Sequence, residues 1–235
     1  SRMVTRFVAI SAFVARTLEA AGVSRERITV IPSSVRAEEF QDRTATPEKR
    51  SKLGLARGDF VVLNVASLTG EKRQDRILEV AAIVSGRIPA AKFIIAGEGR
   101  LRQRLEKRAR ELGIQRVVRF LGFRDDVPQL MLLSDVFIFP SESEGLGTSV
   151  LEAMAAGIPV VASRSGGVIE VVADNETGFL VPPADSYSMA EAVVRLAVEP
   201  ELARSMGEKA IETAQKYSFA RSCEAHESLY KELVG

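Results

Sequence analysis

From residue 60 to residue 181 the sequence alternates short, continuous apolar runs with longer stretches of helical period, and this alternation narrows the fold more than any other feature. The runs are 60–66 (FVVLNVA), 92–96 (KFIIA), 117–121 (VVRFL), 135–139 (DVFIF), 159–162 (PVVA) and 178–181 (GFLV), with helices expected at 74–84, 100–112, 127–133, 147–156 and 168–173. A strand that is apolar without a break is buried on both faces. Such strands separated by helices describe an α/β fold, a doubly wound parallel sheet with helices on each side. In that plan ligands bind beyond the carboxyl ends of the strands, so the strand-end loops are where function is sought.

The ends of the chain lie outside this alternation. At the start, FVAIS reads as a strand, SAFVARTLEAAG as a helix closed by Gly22, and ITVIP as a second short strand. The polar stretch 36–50 reads as a linker into a helix near 47–53, with Pro47 in its first turn. Helical period then returns at 186–198, 200–217 and 218–233 with no further strand. Residues 1–40 thus read as the last strand-helix unit of a preceding domain.

Charge and composition exclude several functions. Thirty-two Lys and Arg against 31 Asp and Glu give a net charge of +1, which argues against a globally basic nucleic-acid binder and against an acidic tail. The single cysteine, Cys223, has no internal disulfide partner, and with only one histidine, His226, a zinc site or Cys-His pair is not expected. No apolar stretch approaches the roughly 18 residues of a membrane-spanning helix. The opening SRMVTRFVAI lacks a signal-peptide pattern, so the expected compartment is the cytoplasm.

The segment after the fourth run carries the most chemistry: SESEGLGTSVLEA, residues 141–153. Two glycines allow close backbone approach, and the helix that follows begins with unpaired N–H groups suited to anionic oxygens. Glu144 precedes the helix and Glu152 lies about two turns into it, and helical side chains lean toward the N-terminus, so both carboxylates can face one pocket. A carboxylate accepts hydrogen bonds from the paired hydroxyls of a sugar. Two surface glutamates flanking a helix start are the competing reading; position at a strand end beside glycines favours the first.

The run EGLGTSVLEAMAAGIPVVAS resembles the E-x7-E signature of the retaining family 4 glycosyltransferases, whose GT-B architecture sets two Rossmann-like domains face to face. VASLTGEKRQDRILEVA, FIIAGEGRLRQRLEKRARELG, VRFLGFRDDVPQLMLLSDVFIFPS and GGVIEVVADNETGFLVPPAD follow in the family's order. The resemblance implies that 41–217 is the nucleotide-sugar-binding C-terminal domain, 1–40 the end of an N-terminal domain, and 218–235 the helix that crosses back to it. It implies that Glu144 holds hydroxyls of the donor sugar, Glu152 the ribose, and the backbone of Gly145, Leu146, Gly147 and Thr148 the sugar and diphosphate. Lys72 corresponds to the lysine that neutralises the leaving diphosphate, making Glu144 and Lys72 the expected catalytic pair. A preplaced cation there is worth several kcal/mol where water is excluded.

Two departures stand out. Ser67 occupies a position where the family often has an arginine, which implies either a weaker hold on phosphate or substitution by Arg73, and Ser33-Ser34-Val35-Arg36 replaces an Asn-Gly-Val-Asp pattern near the interdomain cleft. By the same resemblance Gly97 lies beside the nucleotide, Phe123 and Arg124 frame its base, and Gly166-Gly167 faces the donor. Gly97-Glu98-Gly99 lacks the third glycine of a dinucleotide fingerprint, Arg102 standing there, so no nicotinamide cofactor is expected. Asp125-Asp126 before Val127-Pro128 reads as a helix cap rather than a metal pair, and no metal or other cofactor is implied.

The basic helix GRLRQRLEKRARELG either docks on an anionic membrane or acceptor, or presents a solvated face with its leucines in the core. The function implied is transfer of a hexose from a nucleoside diphosphate to the hydroxyl of a glycan or glycolipid acceptor, in surface polysaccharide or glycolipid synthesis, at or near the inner face of the membrane. A nucleotide-sugar epimerase of related fold and a donor-binding module without its own activity are the alternatives. Residues 1–40, separated from a parent sheet, are expected either to pack on the domain or to pair with a second copy.

Overall fold

The computed structural model describes residues 4–40 and 47–234. In chain order the elements are β1 (Phe7–Ala9), α1 (Ala12–Ala20), β2 (Ile28–Val30), α2 (Pro47–Lys52), β3 (Phe60–Val65), α3 (Gln74–Ser85), β4 (Ala91–Ala96), α4 (Arg102–Glu111), β5 (Val118–Gly122), α5 (Val127–Leu132), β6 (Val136–Phe139), α6 (Thr148–Ala155), β7 (Val160–Ser163), α7 (Val168–Val171), β8 (Gly178–Val181), α8 (Ser186–Val198), α9 (Pro200–Gln215) and α10 (Phe219–Val234). All six apolar runs become strands of one parallel sheet in the order β5-β4-β3-β6-β7-β8.

Alternation within each strand divides the core into two layers. Val61, Leu63, Phe137 and Phe139 face α5, α6 and α9, where they meet Leu130, Val150, Met154 and Ala210. Val62, Phe93, Val136 and Ile138 face α3, α4 and α8, meeting Ile77, Leu105 and Val193. Each of these larger side chains contributes roughly 1.5–3 kcal/mol on burial, and no strand of this six-stranded sheet has an exposed residue. The outer edge of β8 is sealed by a clasp. Asp174 accepts the outward N–H of Leu180 (2.9 Å), while Arg164 donates to its carbonyl (3.1 Å) and pairs with Asp174 (2.5 Å). A free strand edge, which would otherwise invite another chain, is thereby closed.

In sequence the chain leaves β3 toward β4 and β5, then returns to lay β6, β7 and β8 on the other side of β3. The two strands diverge after two paired residues, Val62 with Val136 and Leu63 with Phe137. The buried Asn64 amide bridges the divergence, donating to the Ile138 carbonyl (2.9 Å). This reversal of strand order opens a crevice between the loops that follow β3 and β6.

Residues 4–35 form a parallel β1-α1-β2 unit with a small core of Ala9, Ala15 and Ile28. It is docked on the sheet domain. Ser11 caps α1, accepting from Val14 N (3.0 Å), and donates through the same hydroxyl to the carbonyl of Gly145 (2.5 Å). The Glu170 carboxylate accepts the free N–H groups of Ala12 (2.9 Å) and Phe13 (2.7 Å), an anion at the positive end of α1. At the far end, α10 lies against the same unit through Arg6 and Glu232 (2.5 Å).

Three readings of the sequence change. Residues 36–40 are not linker: Ala37–Phe40 forms a 3-10 turn, and the Phe40 side chain enters the main core, an apolar anchor hidden among charged neighbours. The remainder of that stretch, 41–46, lies outside the described residues. α7 stops at Val171, because Thr177 accepts from Ala173 N (2.9 Å) and Asn175 turns left-handed at φ 64°. Asp126 stands at the N-cap of α5 without capping it. Its carboxylate is held instead by Arg124, at 2.7 and 2.5 Å. On α4, Leu105 and Ala109 are buried, and Arg102, Lys107 and Arg108 pair with glutamates of the same helix or its approach, the pattern of a solvated face.

Candidate donor site at the switch point

A cleft of about 420 Å³ opens at the carboxyl ends of β3, β4 and β5. Its walls are Val65, Ala66 and Ser67 at the end of β3, Ala96, Gly97 and Glu98 at the end of β4, Phe123 and Arg124 after β5, Val127 at the start of α5, and Glu152 from α6. Three larger grooves, about 540, 530 and 430 Å³, lie between β8 and α8, between α7 and α9 and between α3 and α4. None of them is lined by a residue of the loops after β3 to β6, so the smaller cleft is the one in the position this topology uses for ligands.

The cleft is built by close backbone approach. A Cβ on Gly97 would overlap the Ala66 carbonyl oxygen and lie 2.8 Å from its carbon, and Gly97 adopts φ 142°, a conformation open chiefly to glycine. The loop after β3 is pinned from below by the buried Gln74, whose amide donates to the Ser67 carbonyl (2.9 Å). It is tied to the loop after β6 through Glu71, whose carbonyl accepts from Glu142 N (3.0 Å) and the Ser141 hydroxyl (3.1 Å). Gly166 and Gly167 press on the loop after β6 from its far side. A Cβ on Gly167 would overlap the Gly145 carbonyl, and Gly167 N donates to the Glu144 carbonyl (2.8 Å).

The predicted residues fall into two groups. Ser67, Gly97, Phe123, Arg124 and Glu152 line the cleft. Glu144 and Lys72 form a half-buried ion pair beside it, with the ammonium 5.5 Å from the Phe139 ring. Gly147 turns left-handed at φ 90° to start α6, leaving the N–H groups of Thr148 and Ser149 without a carbonyl partner in the helix. Gly145 and the buried Leu146 complete that turn, and Gly145 also packs on Ile10 of the β1-α1-β2 unit. Arg73 is not in the cleft wall: left-handed at φ 51°, it pairs with Asp75 and Glu142, both carboxylates keeping it charged. Arg36 stacks over the Phe219 ring at 5.0 Å and pairs with Glu39.

Glu152 differs from the other acids. Burial, and then the neighbouring Glu39 carboxylate, push its carboxyl above the usual range, and the carboxylate has no ion pair or hydrogen bond among the described residues. Its oxygens face a cleft with their acceptor capacity unused. Asp126, by contrast, is held below the ordinary carboxylate range by its bond to Arg124. Sequence reasoning missed Asn64, Gln74 and Glu71, which shape the loops; the cue was an amide inside an apolar run and another at a helix start. Among the described residues no group of three or more His, Cys, Asp or Glu side chains could hold a metal, and no helix is long and apolar enough to cross a membrane.

The sequence profile described as Glycosyl transferases group 1 matches residues 45–213, from α2 through most of α9. The chain belongs to the group 1 glycosyltransferases. Among its relatives in sequence, EpsD of Bacillus subtilis is 36% identical over 181 residues, covering 77% of this chain and 48% of its own length. The D-inositol 3-phosphate glycosyltransferase of Corynebacterium jeikeium is 34% identical over 219 residues, 88% of this chain and 52% of its own. The chain therefore spans about half the length of the curated relatives it matches. In three dimensions HepE of Anabaena, solved with UDP and glucose, superposes with a TM-score of 0.91 at 26% identity, over 98% of this chain and 64% of that one. The α/β fold with its parallel six-stranded sheet matches that of GT-B glycosyltransferases.

Proposed function

We propose that this chain is the donor-binding half of a retaining glycosyltransferase, which holds a nucleoside-diphosphate sugar for transfer of a hexose to an acceptor hydroxyl. The observation that carries the reading is the unpartnered carboxylate of Glu152, half-buried in a cleft at the switch point. A buried charge without a counter-ion is costly, and two adjacent ribose hydroxyls donating to it would remove that cost. The exposed Phe123 ring at the mouth offers an apolar face to a base. The complexes of HepE with UDP, glucose and UDP-glucose support a nucleotide-sugar donor.

In this reading the diphosphate lies between the cleft and the head of α6, where Thr148 and Ser149 offer N–H groups without a carbonyl partner in the helix. Lys72, held ready by Glu144, takes the diphosphate as its partner; a Glu144 oxygen is then free for a sugar hydroxyl. As the glycosidic bond breaks, negative charge grows on the leaving phosphate, and the fixed ammonium stabilises it without reorganisation. Charge neutralisation is assigned to side chains rather than a metal. The acceptor, a glycan or glycolipid hydroxyl, binds opposite this face on the other half of the architecture, so the 235 residues alone are expected to bind donor but not to transfer.

The test is thermal unfolding with UDP, GDP, ADP and dTDP, repeated on Glu152→Ala. At a hundredfold excess over Kd a bound nucleotide adds about 2.7 kcal/mol, which for a chain of this size raises Tm by roughly 5–10 °C. A shift with one nucleotide that disappears in the variant is expected. No shift with any of the four, or an equal shift in the variant, would overturn the reading.

A further inference from the structure

If a donor diphosphate binds beside Ser67 and Lys72, two or so negative charges need cations there, and most of those present are already matched. Lys72 is paired with Glu144, Arg73 with Asp75 and Glu142, Arg102 with Glu98 and Glu106, and Arg124 with Asp126. Ser67 contributes a hydroxyl, 3.4 Å from that of Thr69, and no charge. The same rim also carries the Glu71 carboxylate.

One cation remains. Residues 97–101 lie flat on the loop after β3: Leu68 N donates to the Glu98 carbonyl (2.9 Å), and Leu101 N donates to the Leu68 carbonyl (3.2 Å). A Cβ on Gly99 would come within 2.8 Å of the Leu68 backbone nitrogen and carbonyl carbon, so nothing separates the two segments. Arg100, between these contacts, therefore stands on the rim shared by Ser67, Thr69 and Lys72. The Glu71 carboxyl is held below its ordinary range by its own backbone N–H and the Thr69 hydroxyl, with the Lys72 and then the Arg100 charge adding to them, which puts the guanidinium within electrostatic reach of this loop. Arg100 is exposed and makes no hydrogen bond or ion pair among the described residues.

We infer that Arg100 supplies the second cation of the donor diphosphate site, acting from the loop after β4 where Ser67 leaves the loop after β3 uncharged. This rests on the donor-site reading above. A guanidinium presents a planar fork of donors that matches phosphate oxygens, and Arg100 can swing to the ligand without abandoning a carboxylate. Its contribution falls on the phosphates alone, since the nucleoside end of the cleft is walled by Phe123 and Glu152.

Calorimetric titration of the 235-residue chain and of Arg100→Gln separates these ideas, using UDP, GDP, ADP and dTDP, each beside its monophosphate and nucleoside. Loss of no described contact means that Arg100→Gln should unfold within about 2 °C of the parent, confirming an intact fold. The diphosphate that binds the parent should bind the variant about five- to tenfold more weakly, with a shallower salt dependence, while the nucleoside binds both alike. Arg100→Lys should recover part of the loss. Equal diphosphate affinity in parent and Arg100→Gln would overturn this inference and leave the donor site standing, as would parallel losses for diphosphate and nucleoside. No binding of any nucleotide to the parent would overturn both.

Discussion

Gly97→Ala tests whether the cleft is built by backbone contact. Two costs follow from the geometry. At φ 142° an L side chain is strained, by about 1–3 kcal/mol. The new methyl would also overlap the Ala66 carbonyl oxygen and sit 2.8 Å from its carbon, against the roughly 3.5–4.0 Å at which carbon atoms pack. The two loops must move apart by about an ångström. That motion strains the bonds flanking the contact, Ala66 N to the Ala96 carbonyl (3.1 Å) and Gly97 N to the Gly122 carbonyl (2.7 Å), each worth about 0.5–1.5 kcal/mol. The sum is about 2–6 kcal/mol, or on the order of 10 °C in Tm. Thermal unfolding followed by circular dichroism reads it, with Gly58→Ala as the control, since a Cβ at Gly58 meets nothing within 4 Å. The nucleotide-dependent rise in Tm should vanish in Gly97→Ala as the cleft wall shifts. A variant within 2 °C of the parent would refute the reasoning, because neither strain nor overlap would then be real.

Three further outcomes are expected. Glu152→Gln should stabilise the chain at pH 7: a carboxyl whose folded pKa is raised binds its proton more tightly when folded, so stability falls as pH rises above the unfolded value of about 4.3, and the amide escapes that loss. The gain in Tm should shrink as pH is lowered to 4, and a difference constant between pH 4 and 7 would refute it. Ser11→Ala with Glu170→Gln removes the cap and the anion that fasten α1 to the donor loop, each worth about 1 kcal/mol, so limited proteolysis should cut within residues 4–35 severalfold faster while the sheet domain resists; an unchanged digestion rate would show the unit to be held by other contacts. Asp174→Ala with Arg164→Ala uncovers Leu180 on the edge of β8, and light scattering should show concentration-dependent association absent from the parent. A double variant that stays monomeric at high concentration would show the clasp to be dispensable.

Periodicity is local, and what depends on it was legible in the residues. Runs apolar on both faces became buried strands, and the stretch 186–198 became α8 without a change of boundary. The glycines at 97, 145 and 147 marked the loops that carry the cleft and the head of α6. Less legible were elements held by a single long-range anchor. Phe40 sits in a run of charged residues and gives no periodic signal, yet its ring is buried in the main core. Asp126 has the sequence context of a cap, but a bidentate arginine two residues away competes better for its oxygens than a backbone N–H.

The amino-acid order by itself determined a doubly wound sheet, its strand-end loops and the residue types able to hold a sugar nucleotide, because burial pattern and glycine placement are properties of neighbours in sequence. Tertiary structure alone decided which charges meet. Lys72 and Glu144 are 72 positions apart and Arg73 and Glu142 are 69, so the choice that occupies Arg73, readies Lys72 and leaves the Glu152 and Arg100 side chains unpaired among the described residues exists only once β6 is laid beside β3. Electrostatic matching depends on distance in space, and a linear pattern does not contain it.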